Sequence, residues 1–118
     1  MSNSLLALSF DTADAAAIAQ FWATVLDRPV ADGATAQFAA IGVVDAELTG
    51  PRLMFHQVPE GKRVKNRLHL DIMTDDLDAE TERLLGLGAT VLNRASTTGL
   101  GWTTLGDPDG NEFDLIAR

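Results

Sequence analysis

The chain is 118 residues long, which fits one domain with a single modest core. A net charge of −8, from nine basic against seventeen acidic residues, argues against binding to nucleic acid or to a membrane surface, since both need positive potential. There is no cysteine for a disulfide, a thiolate metal site or a nucleophile, no run of membrane-spanning length and no signal-peptide pattern, so a cytoplasmic protein is the default expectation.

Ser4 to Asp11 reads as a first strand, with Leu6, Leu8 and Phe10 on one face. Thr12 to Asp14 supplies N-cap candidates. Ala15 to Leu26 follows at helical spacing, with Ile18, Trp22, Val25 and Leu26 on one stripe. Pro29 forbids continuation of that helix. Thr35 to Val43 and Arg52 to Val58 read as strands, separated by a turn region from Asp45 to Pro51. Pro59 to Lys65 is a polar loop. Asn66 to Ile72 then alternates strictly: Leu68, Leu70 and Ile72 fall on one face, and Arg67, His69 and Asp71 on the other. Thr74 to Asp76 can cap a second helix from Leu77 to Gly86, carrying Leu77, Thr81, Leu84 and Leu85, with Gly86 and Gly88 as stops. Ala89 to Asn93 is a short strand and Arg94 to Gly101 a loop. Trp102 to Gly106 is a strand, Asp107 to Gly110 a turn by composition, and Glu112 to Ala117 the last strand.

The order of elements repeats. A shift of 62 residues places Leu6 on Leu68, Leu8 on Leu70, Thr12 on Thr74 and Asp14 on Asp76. Each half is predicted to be strand, helix and three strands. Three successive strands leave no helix for a crossover, so a purely parallel doubly wound sheet is not expected. If the two sheets curve towards each other, the face bearing Arg67, His69 and Asp71 lines a shared concavity.

These features carry a resemblance. The paired modules, Thr12-Ala13-Asp14 leading to Phe21-Trp22-Ala23, the segment Asn66 to Asp71, and the turn Asp107-Pro108-Asp109-Gly110-Asn111-Glu112-Phe113 resemble the vicinal oxygen chelate superfamily. More narrowly they resemble its small glyoxalase-like, bleomycin-resistance-like members, and the resemblance covers essentially the whole chain. It implies an α+β fold of two βαβββ modules, about 1–60 and 61–118, whose mixed sheets form a cupped, partly open barrel. It also implies a small-molecule ligand held between the modules, and a homodimer, which exposed sheet edges favour as well. Functions in the superfamily are diverse: lyases, isomerases, dioxygenases, thiol transferases and drug-sequestering proteins.

Metal-using members place two ligands in each module, one in the first strand and one in the last. Carried over, this implies His69 and Asp114 in the second module. In the first module Ala7 stands at one position, and the other falls near His56. The metal reading is therefore a divalent ion such as Fe(II), Mn(II), Ni(II) or Zn(II) on His56, His69 and Asp114, with open positions for substrate oxygens. Asp71 is a general-base candidate. Arg67 and Trp102 are candidate substrate contacts, the first for an anion and the second for a planar group. The alternative is a metal-free pocket. Ala7 removes a ligand, and Asp114 is a methylene shorter than the usual glutamate. His69 and Asp71 would stand about 7 Å apart on one strand face. Lys62, Arg63, Lys65 and Arg67 are then a solvated loop or a subunit contact, Trp102 packs, and Asp107 and Asp109 only form a turn. A third reading is a regulatory or structural dimer with a vestigial pocket.

Overall fold

Asp14 and Asp76 start the two helices in the same way in the computed structural model, which describes residues 2–42, 51–97 and 100–118. Each aspartate is extended, and its carboxylate accepts an N–H three residues on: Ala17 at 3.2 Å and Ala79 at 3.1 Å. This satisfies one of the orphan donors of each first turn. Helix α1 runs Ala15–Leu26 and α2 Leu77–Gly86, as the spacing predicts. Helix α1 stops at Asp27, which takes a left-handed conformation at φ 52° just ahead of Pro29. Helix α2 stops at Gly88, φ 111°. There the Ala89 N–H bonds Leu84 O at 3.1 Å and the Gly88 N–H bonds Leu85 O at 3.2 Å, a Schellman arrangement that positive φ makes possible.

The chain divides into two compact units, Met1–Gly61 and Lys62–Arg118. The first holds β1 (Ala7–Thr12), β2 (Phe38–Ile41) and β3 (Arg52–Gln57) in the order β1-β3-β2, with β1 parallel and β2 antiparallel to β3. A single bridge from Val30 to Ile41 extends the sheet beyond β2. The second holds β4 (Asp71–Thr74), β5 (Thr90–Thr97), β6 (Leu100–Gly106) and β7 (Glu112–Ala117) in the order β4-β7-β6-β5. Here too the first strand is parallel to the last. The repeat extends to register. Phe10 faces Phe55 where Ile72 faces Leu115. The Val58 N–H bonds Thr12 O at 2.9 Å where the Arg118 N–H bonds Thr74 O at 2.8 Å.

In each unit one sheet face is covered by that unit's helix. Trp22, Ile18, Ala19 and Val25 of α1 are buried, as are Leu53 and Phe55 of β3 and Ala39 and Ile41 of β2. Phe10 stacks on Phe55 with ring centroids 5.2 Å apart and lies 6.0 Å from Trp22. In the second unit Leu84 of α2, Leu105 of β6 and Phe113 and Leu115 of β7 are buried. Thr81 donates to Leu77 O at 2.7 Å and its hydroxyl lies 3.3 Å from that of Thr103. Thr103 pairs with Leu115, so both lie on the α2 side. Their neighbours Thr104 and Asp114 lie on the opposite face, because side chains alternate along a strand.

Four predicted elements change. The strands expected from Ser4 and from Asn66 begin later, at Ala7 and Asp71; Leu6 and Leu68, assigned to apolar faces, are exposed. Both precede the first paired residue of their strand among the described residues. The strand expected from Thr35 begins at Phe38, because the Thr35 hydroxyl accepts the N–H groups of Gln37 and Phe38 and makes a local turn instead. Val43 and residues 45–50 of the expected turn region lie outside the described residues. The loop expected from Arg94 is strand as far as Thr97, because β6 supplies partners for its backbone. A bulge between Val91 and Asn93 shifts the register there.

Candidate functional site

Three side chains converge in the second unit. Asp71, the first residue of β4, pairs in register with Asp114 of β7, so the two carboxylates are neighbours on the sheet face away from α2. His69 lies two residues ahead of β4, in a segment with bends at Arg67 and Leu68. Because this segment is not extended, the ring turns towards Asp71. Nδ1 stands 2.9 Å from Asp71 Oδ1 and 3.9 Å from Asp114 Oδ2. The 7 Å separation predicted for a continuous strand does not apply. One donor atom from each of the three residues lies within 4.8 Å of the other two.

Asp114 is oriented from the neighbouring strand. The Thr104 hydroxyl donates to its Oδ1 at 2.5 Å, leaving Oδ2 as the oxygen nearer His69. Thr104 and Asp114 are also register partners. The side chains of His69 and Asp71 are 41% and 53% exposed, and that of Asp114 is 23% exposed. Solvent and small solutes can reach the group, and the His69–Asp71 pair by itself contributes little to stability.

Chemically the set is one imidazole and two carboxylates. With Nδ1 protonated, His69 donates to Asp71 and presents Nε2 as a base, the tautomer being set by the carboxylate. With Nδ1 deprotonated, the three donors suit a hard or borderline divalent cation, and Thr104 is an outer-shell tie on one ligand.

The segment carrying His69 is held by Glu112 of β7. Glu112 Oε1 accepts the Asn66 N–H at 2.9 Å, and Oε2 accepts from Lys62 Nζ at 3.1 Å. The Asn66 N–H first, and Lys62 second, hold the Glu112 carboxyl down at about 2, against the opposing effect of burial. Lys62 also donates to Val64 O at 2.7 Å, so it is engaged within the loop. Behind this lies the Asp107–Asn111 turn. Oδ1 of the buried Asp107 accepts the N–H groups of Asp109 and Asn111, each at 2.9 Å, and Gly110 takes φ 88°. The Asn111 side chain donates to Asp107 Oδ2 and accepts from Asn66 Nδ2, both at 3.2 Å.

Of the residues singled out from the sequence, His69, Asp71 and Asp114 come together. Arg67 is exposed two residues before His69. Trp102 is half-buried on β6, opposite Ile116 and two residues from Thr104, hence on the same sheet face as Asp114. His56 lies in the first unit, on β3, with its ring 5.2 Å from that of Phe38. The parallel register gives Met54 the place in the first unit that Asp114 holds in the second. Ser9 faces Met54 as Asp71 faces Asp114, while His56 faces Asp11. The first-unit counterparts of His69, Asp71, Asp114 and Thr104 are thus Ala7, Ser9, Met54 and Ala40. Thr104 and Glu112 were not singled out from the sequence. Alternation with Trp102 and with Asp114 was the available signal for them.

The profile of the glyoxalase-like domain family matches residues 7–116. No curated protein matches the sequence. Among solved structures, a glyoxalase/bleomycin resistance protein/dioxygenase family enzyme from Burkholderia phytofirmans PsJN is 17% identical with a TM-score of 0.77, and the match covers 98% of each chain. A glyoxalase-related enzyme from Fulvimarina pelagi is 14% identical with a TM-score of 0.72, over 99% of this chain and 89% of that one. A variant of the genomically encoded fosfomycin resistance protein FosX from Listeria monocytogenes, complexed with Mn(II) and 1S,2S-dihydroxypropylphosphonic acid, is 13% identical with a TM-score of 0.75, over 98% of this chain and 90% of that one. At these identities the likeness is one of fold: α+β, with two βαβββ-like modules forming mixed sheets.

Proposed function

Because the chain belongs to the glyoxalase-like domain family, we propose that it binds a small molecule on the second module's sheet face opposite α2, where His69, Asp71 and Asp114 hold a divalent cation. The observation that supports this is the approach of one nitrogen and two carboxylate oxygens to within 4.8 Å of one another. The Mn(II) bound by the FosX neighbour is consistent with it. The donor set comes from one module; in the other, His56 stands two positions along β3 from the counterpart of Asp114. A cation in this place supplies Lewis-acid stabilisation of negative charge on a substrate oxygen. That chemistry serves a lyase, an isomerase or a dioxygenase acting beside a carbonyl.

The chain's own residues do the rest. Thr104 holds Asp114 in one rotamer. Before the cation binds, Asp71 orients His69 by accepting its Nδ1–H, and its carboxylate is the group placed to take a proton from a bound ligand. Arg67 attracts an anionic group and Trp102 offers a planar face. A homodimer belongs to the same proposal, and light scattering tests it.

The test is elemental analysis of protein purified without an affinity tag, beside His69→Ala. Stoichiometric Mn, Fe, Ni or Zn that the variant loses supports the proposal. A second reading, a metal-free protein that sequesters a hydrophobic or planar ligand, is favoured by Ala7 and Met54 at the repeated ligand positions of the first module. Wild-type protein without metal, yet stabilised by aromatic ligands, would establish that reading instead.

A further inference from the structure

We infer that Glu112, acting through Asn66 and backed by Asn111, is a positioning clasp that sets where the His69 imidazole stands relative to Asp71 and Asp114. This rests on the reading of those three residues as a donor set. His69 is the one donor not carried by a strand. Its backbone therefore needs anchors of another kind, since a loop donor with free backbone dihedrals loses conformational entropy each time it is used.

The anchors come from the strand that bears Asp114. On the near side of His69, the Asp114 N–H bonds Leu70 O at 2.9 Å. On the far side, three residues back, Glu112 Oε1 takes the Asn66 N–H at 2.9 Å. Glu112 and Asp114 are two residues apart on β7, so one strand supplies a donor and both ends of the tether that aims another. The Asn66 side chain is tied a second time, to Asn111 at 3.2 Å, and Asn111 is fixed by the buried carboxylate of Asp107. Lys62 neutralises Glu112 on the side away from this bond. The turn from Asp107 to Glu112 therefore does more than reverse the chain between β6 and β7: it sets the approach of the preceding segment. Both oxygens of Glu112 are bonded, one to Asn66 and one to Lys62, so it is a positioning residue and not a ligand.

The experiment uses the full chain, with Glu112→Ala and Glu112→Gln. It reads the imidazole 1H–13C cross-peaks, amide exchange at Asn66, and the Mn(II) dissociation constant. His56, the chain's other histidine, lies in the other unit and is the internal reference. Glu112→Ala is expected to speed exchange at Asn66, shift the His69 cross-peak and leave that of His56 in place. It should weaken Mn(II) binding about tenfold or more, the scale of losing an outer-shell partner. Glu112→Gln keeps an acceptor for Asn66 and should recover most of the affinity and the His69 shift, which a merely stabilising latch would not require. A His69 cross-peak that stays put while Asn66 loses protection overturns the clasp. If wild-type protein takes no Mn(II), the donor-set reading fails, and the His69 cross-peak alone decides the clasp. If Glu112→Ala does not fold, Asn66→Pro, which removes both the N–H that Glu112 accepts and the side-chain tie to Asn111, is read at the His69 cross-peak instead, and an unmoved His69 overturns the inference.

Discussion

The Asp71 carboxylate meets the His69 ring because the chain between them has not yet become strand. Asp71→Asn keeps the size of the side chain and removes its charge. Metal affinity should fall by tenfold or more with little change in stability, because the pair is half exposed; calorimetric titration beside urea unfolding checks both. Glu112 gives a pH signature. Its folded carboxyl titrates at about 2, below its ordinary 4.5. The stability it contributes is present in full above the ordinary carboxylate range and is lost as pH falls from there through about 2. The urea midpoint of the wild type should therefore drop more steeply between pH 5 and 3 than that of Glu112→Gln. At the end of α1, Asp27 is a non-glycine residue at φ 52°. Asp27→Gly should raise stability by up to about 1 kcal/mol, by relieving the steric cost of the left-handed conformation.

At the scale of elements, each helix is written by a cap and a stripe. Asp76→Ala should cost about 1 kcal/mol, because the Ala79 N–H loses its acceptor. Leu84→Ala should cost about 2–5 kcal/mol, since Leu84 is fully buried and leaves a cavity under α2. Thermal unfolding followed by circular dichroism separates the two. The second unit's sheet divides its labour by face. Thr103, Leu105, Phe113 and Leu115 are buried on or towards the helix side, while Trp102, Thr104, Glu112 and Asp114 alternate with them. That alternation lets a single strand, β7, carry buried Phe113 and Leu115 towards the core and Glu112 and Asp114 on its other face.

For the whole molecule, the two modules share a topology but not a chemistry. Where the second carries His69, Asp71, Asp114 and Thr104, the first carries Ala7, Ser9, Met54 and Ala40. If the cation is held by the second module, Mn(II) at a hundred times its dissociation constant should stabilise the native chain by about 2.7 kcal/mol. Differential scanning calorimetry should show the rise in Tm, and His69→Ala should abolish it. An equal rise in that variant would place the ion elsewhere. No helix among the described residues is long and apolar enough to cross a membrane.

The sequence by itself determined both helices to the residue, through Asp14, Asp76 and the apolar stripes, because capping and helical periodicity are local. It also determined the repeat, because strand-helix junctions with the same residues fold the same way. Tertiary structure decided where strands begin and end. Leu6 and Leu68 alternate like strand residues yet have no strand partner among the described residues, and the polar run from Arg94 to Thr97 becomes strand because β6 lies beside it. It also decided which of the polar side chains lie together. The His69–Asp71 contact depends on a bend that period-two alternation cannot encode, and the exchange of His56 for Met54 depends on register, which is a property of two paired strands and not of either one.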